Sequence, residues 1–296
     1  MVHSPQTLQA RNASPRNQEW VRALYRFTRN PSAIFGLVIV SLMILCAIFA
    51  PFIAMHSPIV GDLRMYVTPP SSAHFFGTDD IGRDVFSRTV YGAQISLTIA
   101  LAAQASSLTI GLVIGLFTGY YGGILDTIVM RIVDMVMSFP LLIIAIALIG
   151  VLGASDTNII ITLALVSWPN IARLTRSQVL SLKEHEFITA ARNLGASDLA
   201  IMFRHILPNL LTPLIVLVTL GIGGVILSEA ALSFLGLGSG SQHHPSWGKM
   251  LTESRAFMRS AWWMPFFPGL AIFITVLGFN LLGDGLRDVL DVRSGD

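Results

Sequence analysis

The residues with chemical potential in this chain are few, and most lie beside apolar sequence. Glu229 stands near one end of a long apolar run, Arg131 and Asp134 lie three apart in another, and Asp79, Asp80, Arg83, Asp84 and Arg88 crowd a polar stretch between two runs. An ionisable group next to hydrocarbon is costly and is kept where it pairs, meets water or lines a pathway. Arg131 and Asp134 share a helix face at that spacing and can pair, either as a structural tie or as part of a gate. Glu229 either belongs to a pathway or faces outer water. Asp79, Asp80 and Asp84 do not read as a calcium loop, because Gly82 comes too early and no glutamate closes the loop at the required distance. Arg83 and Arg88 instead pair with them in a solvated network, serving as scaffold or as contact with an external partner. His243 and His244 are adjacent, so their rings diverge on a helix and oppose one another across a strand, and neither geometry chelates well. No metal site and no catalytic residue is expected. The single cysteine, Cys46, allows no internal disulfide framework. A phosphate-cradling Gly-x-x-x-x-Gly-Lys-Ser/Thr string is absent, and the one Gly-Lys pair, Gly248-Lys249, is followed by Met250.

The elements that position these groups are set by composition. Of 296 residues, 53% are hydrophobic and 12% charged, against roughly 25% charged in soluble domains. That composition argues against a water-soluble globular enzyme, and the near-balanced charge of +2 gives no sign of nucleic-acid binding. Six segments approach the roughly 20 apolar residues that a helix needs to cross a bilayer. They are placed at Ala33–Ala54, Ala93–Tyr120, Leu125–Leu152, Asn158–Leu180, Leu207–Ala230 and Trp262–Leu282, the fourth and sixth being the least clear-cut. The first lacks a cleavage pattern and is read as a retained span. Twelve Lys and Arg fall in the two tails and the segment running from the end of span four, with Arg173 and Arg176, to the start of span five, against six on the opposite side. That bias places both termini in the cytoplasm, and Trp262 and Trp263 sit where the sixth span meets the outer interface. The expected fold is all-α and membrane-integral: a tail over 1–32, a first span over 33–54, an outer segment over 55–92, a five-helix core over 93–285 and a tail over 286–296. Within the core lie a cytoplasmic loop at 181–206 and an outer loop at 231–261. Gly111, Gly115 and Gly119 recur every four residues along span two and predict close helix packing on one face.

The cytoplasmic loop reads as a helical hairpin. Glu184, His185, Glu186, Ala190, Ala191 and Arg192 favour helix, Gly195 suits a left-handed termination, and Ser197 before Asp198 can cap a second helix. Ala190 and Ala191 beside Phe187, Ile188 and Leu194 offer an apolar face, suited either to a partner's groove or to the lipid surface.

The string Ala190-Ala191-x-x-x-Gly195, followed by Leu207-Pro208, resembles the cytoplasmic signature loop of permease subunits in binding-protein-dependent ABC importers, with Thr189 where that family usually has glutamate and His205 where isoleucine is common. Phe76-Gly-Thr-Asp-Asp-Ile-Gly-Arg-Asp-Val-Phe-Ser-Arg88 resembles the outer segment of the dipeptide, oligopeptide and nickel branch. Met130-Arg131-x-x-Asp134 with Pro140, Ala230-Ala231-x-x-Phe234-Leu235-Gly236-x-Gly238, Pro245-x-Trp247-Gly248 and Gly283-Asp284-Gly285-x-Arg287-Asp288 are similar to that branch as well. The pattern is that of the second, C-type permease of a dipeptide system.

The resemblance implies a multi-pass protein of the bacterial inner membrane that forms half of a peptide pathway. It also implies a related second permease, two ATPase subunits carrying ATP and magnesium, and an external or lipid-anchored binding protein, with no cofactor on this chain. By the same resemblance Glu186, Thr189, Ala190, Ala191, Gly195, Ala196, Ser197 and Pro208 couple to the ATPase. The competing expectation is a self-sufficient ion-driven transporter using Glu229, Asp134 and Arg131 as a relay, against which the lack of a detectable inverted repeat argues. An intramembrane hydrolase lacks any acid or histidine pair at workable spacing. The cargo itself is not legible.

Overall fold

The computed structural model describes residues 25–238 and 245–290. His243, His244, Arg11, Arg16, Arg22 and Arg293 lie outside the described residues. The chain forms α1 (Pro31–Ile48), α2 (Val85–Tyr121), α3 (Gly123–Met137), α4 (Leu141–Leu152), α5 (Asp156–Leu182), the short α6 (Glu186–Asn193), α7 (Asp198–Leu237), α8 (Trp247–Glu253) and α9 (Trp263–Leu290). Among the described residues, α1, α2, α7 and α9 are long and apolar enough to cross a bilayer. The bent pair α3 and α4 makes a fifth candidate if counted as one span. The fourth expected span, α5, is 27 residues long, but Asn158, Asn170, Arg173 and Arg176 dilute its apolar content.

Local chemistry explains where boundaries depart from expectation. α2 starts at Val85 and not at Ala93, because Asp84 caps it: the Ser87 amide donates to Asp84 Oδ2 at 2.7 Å. Its first two turns lie outside the apolar run that hydropathy detects. The segment expected as one span over Leu125–Leu152 is two helices bent by 93°. Pro140 lacks an amide donor and disfavours helix at Phe139, so the chain turns between Met137 and Leu141. α7 extends through π-helical turns at Ile201–Ile206 and Ser233–Leu237 at its two ends.

The glycine stripe on α2 packs against α5, as its spacing predicts. A Cβ at Gly111 would lie 2.7 Å from Ile171 Cβ, one at Gly115 would lie 2.5 Å from the Ala172 carbonyl, and one at Gly119 would lie 2.8 Å from Val179 Cβ. Three successive turns therefore bring the two backbones together along the length of the seam. α1 lies along α9 in the same manner, Gly278 facing Ile39 and Gly285 facing Ala33.

Side-chain ties define the two ends of the bundle. At one, Trp263 Nε1 donates to the Thr78 carbonyl at 3.1 Å and Trp247 Nε1 to the Thr89 carbonyl at 2.9 Å, so the loop before α2, α8 and the starts of α2 and α9 are joined. At the other, Tyr120 donates to Asp198 at 2.7 Å and Asn30 to Asp288 at 3.2 Å, so the α6–α7 hairpin shares an end with the start of α1 and the finish of α9. Trp263 is buried against Gly77, while Trp262 is exposed. Only Trp262 is therefore free to act as an interfacial aromatic.

Gly115→Leu is expected to force α2 from α5 and cost about 1–3 kcal/mol, read as a lower melting midpoint of the detergent-purified chain. Gly224→Ala is the control, since a Cβ there meets nothing within 4 Å; equal melting of the two variants would count against the seam.

Candidate functional site

The hairpin is built as its residues dictate. Asp and Glu are favoured in a first helical turn, and Glu186 opens α6 there; Arg192 closes it. The helix ends on Gly195 at φ +81°, with the Gly195 amide donating to the Arg192 carbonyl at 3.0 Å and the Ala196 amide to the Ala191 carbonyl at 3.1 Å. These paired bonds are the Schellman termination, and they require a left-handed residue. Ser197 then caps α7 by accepting from the Ala200 amide at 3.3 Å.

The apolar face divides in two. Ile188 and Ala191 are buried, Ile188 among Val179 of α5 and Ile201, Met202 and Ile206 of α7. Phe187, Ala190 and Leu194 point outward, Leu194 with 89% of its surface exposed. Ala191 was expected to belong to the docking face and does not: its i, i+3 partner on this helix is Ile188, and both serve as the seat. Glu186, Thr189 and Ser197 are exposed, Ala196 is half-buried against the seat, and Pro208 lies just past the π-helical turn, half-buried. The hairpin thus presents an apolar surface to whatever lies below it, while its inner face is keyed to α2, α5 and α7.

At the opposite end the acidic loop is internal. Asp79 accepts from the Arg83 amide at 2.8 Å and from Arg83 Nε at 2.6 Å, and its second oxygen lies 3.5 Å from Arg88 Nε. Glu253 closes the set, accepting from Arg88 at 2.6 Å and from Arg83 at 3.1 Å. Asp79, Arg83, Asp84 and Arg88 are buried. The solvated network expected from sequence is therefore a buried one, and of the five residues assigned to contact with an external partner only Asp80 retains appreciable exposure. Burial, with the charge of Asp79 added, pushes the Asp80 carboxyl above its usual range. Glu253 and Trp247 complete this end. Sequence spacing gave no sign of Glu253, more than 160 residues from its arginines. Trp247 lay within the Pro-x-Trp-Gly string, and the Gly92 backbone approaches its ring where a Cβ would stand 2.6 Å away. Gly82 in the same loop takes φ +77° and has no room for a Cβ beside the Asp62 carbonyl.

The membrane charges do not converge. Asp134 pairs with Arg173 of α5, not with Arg131, and both Arg131 and Asp134 are exposed on the surface of the single chain. Arg176 makes a two-pronged pair with Asp126 at the start of α3. Glu229 is buried, accepting from Ser233 at 2.8 Å and from Ser96 at 3.4 Å, so it does not face outer water. Glu229 bonds Ser96 of α2, whereas the Ile171–Ala172 stretch next to Arg173 packs on Gly111, 15 residues further along α2 and about 22 Å away at 1.5 Å per residue. A relay through Glu229, Asp134 and Arg131 has no continuous path. A cleft lined by Tyr91, Gln94, Thr98, Asp156, Ile160 and Pro245 opens between α2 and α5.

Comparison with known proteins bears on this geometry. Residues 111–295 match the family model of the binding-protein-dependent transport system inner membrane component, and residues 19–70 match the N-terminal TM domain of oligopeptide transport permease C. The chain is 47% identical to the dipeptide transport system permease protein DppC of Alkalihalophilus pseudofirmus over 93% of its own length and 90% of that protein's. It is 40% identical to the probable D,D-dipeptide transport system permease protein DdpC of Escherichia coli strain K12 over 100% and 99%. With the glutathione transport system permease protein GsiD of Escherichia coli O6:K15:H31 it shares 46% identity over 93% and 90%.

Breaking the buried charge set from one side is expected to be expensive. Glu253→Gln leaves Arg88 short of a carboxylate and is predicted to destabilise the chain by about 3–5 kcal/mol, with Glu253→Gln and Arg88→Met together costing less than the sum of the two alone. A melting series in detergent checks this, and additive losses would mean that the two residues are not coupled.

Proposed function

The chain belongs to the family of binding-protein-dependent transport system inner membrane components, and from that premise we propose that it carries small peptides inward, its exposed α6 face receiving the thrust of an ATPase. It is a permease of a binding-protein-dependent importer, a multi-pass inner membrane protein and not an enzyme. Self-sufficient ion-driven transport is set aside, since the relatives are permease subunits and the charges it needs lie apart.

In this reading α5 is a sixth crossing, packed along α2 and polar toward its hairpin end, where a second permease covers Arg131 and Asp134. Both termini and the hairpin lie on the cytoplasmic side, in keeping with the Lys and Arg bias. Two permeases enclose the pathway, two ATPases sit below with ATP and magnesium, and a soluble or anchored receptor delivers cargo from outside. That cycle calls for no cofactor on this chain. The relatives named for dipeptides and glutathione support a short peptide as cargo, and the half-polar cleft between α2 and α5 supports a pathway with modest selectivity.

The observation that carries the mechanism is the two-faced hairpin. Phe187, Ala190 and Leu194 are offered outward, while Ile188 is keyed into a cluster shared by α2, α5 and α7 and Ala191 is buried on the same inner face. A subunit gripping the outer face moves three helices together. ATP turns the pathway only if its binding favours one arrangement of those helices over the other, since a ligand without differential affinity shifts nothing. Thr189 lies beside that outer face, Glu186 at its start, and Ser197, Ala196 and Pro208 hold the return strand of the hairpin in place.

Two variants test this in the reconstituted importer. Ala190→Trp adds bulk on the exposed face and is expected to abolish uptake and cargo-stimulated ATP hydrolysis together while leaving the melting midpoint of the chain unchanged. Gly195→Val strains a left-handed position by roughly 1–2 kcal/mol and is expected to lower both activities, with Gly195→Asn retaining most of them. Full coupling in Ala190→Trp would remove α6 from the ATPase interface.

A further inference from the structure

Beside the arginine network at the loop end, three segments bring nitrogen and oxygen donors to one point. His56 follows the short helical turn Ala50–Ile53, His74 lies in the loop before the Gly77 turn, and Asp84 caps α2. Both imidazoles direct Nδ1 at the same carboxylate oxygen: His74 Nδ1 lies 2.9 Å and His56 Nδ1 3.9 Å from Asp84 Oδ1. The rings lie side by side with centroids 4.6 Å apart, and one donor atom from each of the three residues falls within 4.8 Å of the others. A hydrogen bond accounts for His74 but not for His56, whose separation is too long for one.

We propose that His56, His74 and Asp84 form a binding site for a divalent transition-metal ion of the zinc class. Donors bound tetrahedrally at 2.0–2.1 Å stand about 3.3 Å apart, and the two measured separations straddle that value. Two imidazoles and one carboxylate suit zinc, cobalt or nickel and not magnesium or calcium, which take all-oxygen sets. The first turn of α2 holds the arrangement. The Ser87 amide donates to Asp84 Oδ2 at 2.7 Å, which turns Oδ1 toward the histidines, and the His56 amide donates to Ser87 Oγ at 3.1 Å, which fixes His56 to the same turn. Asp84 is buried, the His74 side chain is 12% exposed and that of His56 42%. The site therefore opens to solvent on the His56 side, where a water can complete the coordination and an ion can enter. The positive end of α2 opposes a cation here, and the Asp84 charge offsets it. Bound, the ion would clip the connection leaving α1 to the outer loop and to α2. This site is separate from the α6 hairpin and stands or falls without the transport reading.

The test uses the full chain in detergent, without a polyhistidine tag and stripped by chelator. Titration with cobalt chloride is expected to give the visible bands of a four-coordinate ion, abolished by equimolar zinc chloride, with one zinc bound per chain by calorimetry and a raised melting midpoint. His56→Gln, at the exposed position, is expected to weaken zinc binding at least about tenfold with no change in metal-free melting. Asp84→Asn keeps the helix cap and is expected to weaken it as well. No uptake by the unaltered chain overturns the site. Uptake that persists unchanged in His56→Gln with His74→Gln places the ion on other histidines and also overturns it.

Discussion

Close approach of α2 to α5 is the contact on which the rest of the molecule depends. In hydrocarbon there is no hydrophobic gain from joining two apolar helices, so association rests on packing and on interhelical polar contacts. Gly111, Gly115 and Gly119 supply the packing by leaving room for the α5 backbone itself. The seam makes α2 and α5 one body, and the cluster that seats α6 grows from it: Leu116 of α2 and Ile171 and Val179 of α5 meet Ile188, Ile201, Met202 and Ile206. Were α2 and α5 to separate, the inner face of the hairpin would lose the surface to which it is keyed, and a force applied to α6 would have nothing rigid to act on.

The loop end obeys the opposite rule, because there charge is what is packed. Arg83 and Arg88 are buried, and such ions are tolerated only with their donors satisfied. Asp79 and Glu253 supply the balancing charges, and Pro58 accepts a further bond from Arg88 at 3.3 Å. Trp247 and Trp263 close the assembly by bonding to carbonyls of α2 and of the loop before it. Such a set contributes little net stability over an apolar core of equal volume, but it joins segments that are far apart in sequence in one register.

What the sequence made legible follows from the range of the interactions concerned. The hairpin termination at Gly195 and the cap at Ser197 are local, decided within a few residues, and were readable; so was the glycine stripe, since its period lies within one helix. The split of the α6 face was not, because Ala190 and Ala191 are alike in kind and only the position of α7 decides which turns inward. The break at Pro140 was signalled by the residue itself and hidden by apolar sequence on both sides of it. The first turns of α2 escaped hydropathy because they sit in a protein interior of ion pairs and not in lipid. Asp134 found Arg173 where its nearest cation in sequence was Arg131, and Glu253 answers arginines on another helix; pairings of that range have no periodic trace.

The two ends divide the labour between rigidity and exposure. At the loop end large polar groups are withdrawn from solvent, and the aromatic and ionic ties leave few ways for that end to move internally. At the hairpin end the reverse holds: Phe187 on a helix of eight residues and Leu194 at its C-cap stand in solvent, and the helix is too short to persist by propensity alone. Its order comes from two inward side chains, a capped start to α7 and a glycine termination. A short helix secured only from behind keeps its outer face available and constant in shape, which is what a docking surface needs. The apolar residues on that face gain nothing from water, so a covering protein surface would be favoured by their burial. The contact that seats α6 on α2, α5 and α7 would therefore also carry the movement of a covering partner to those helices.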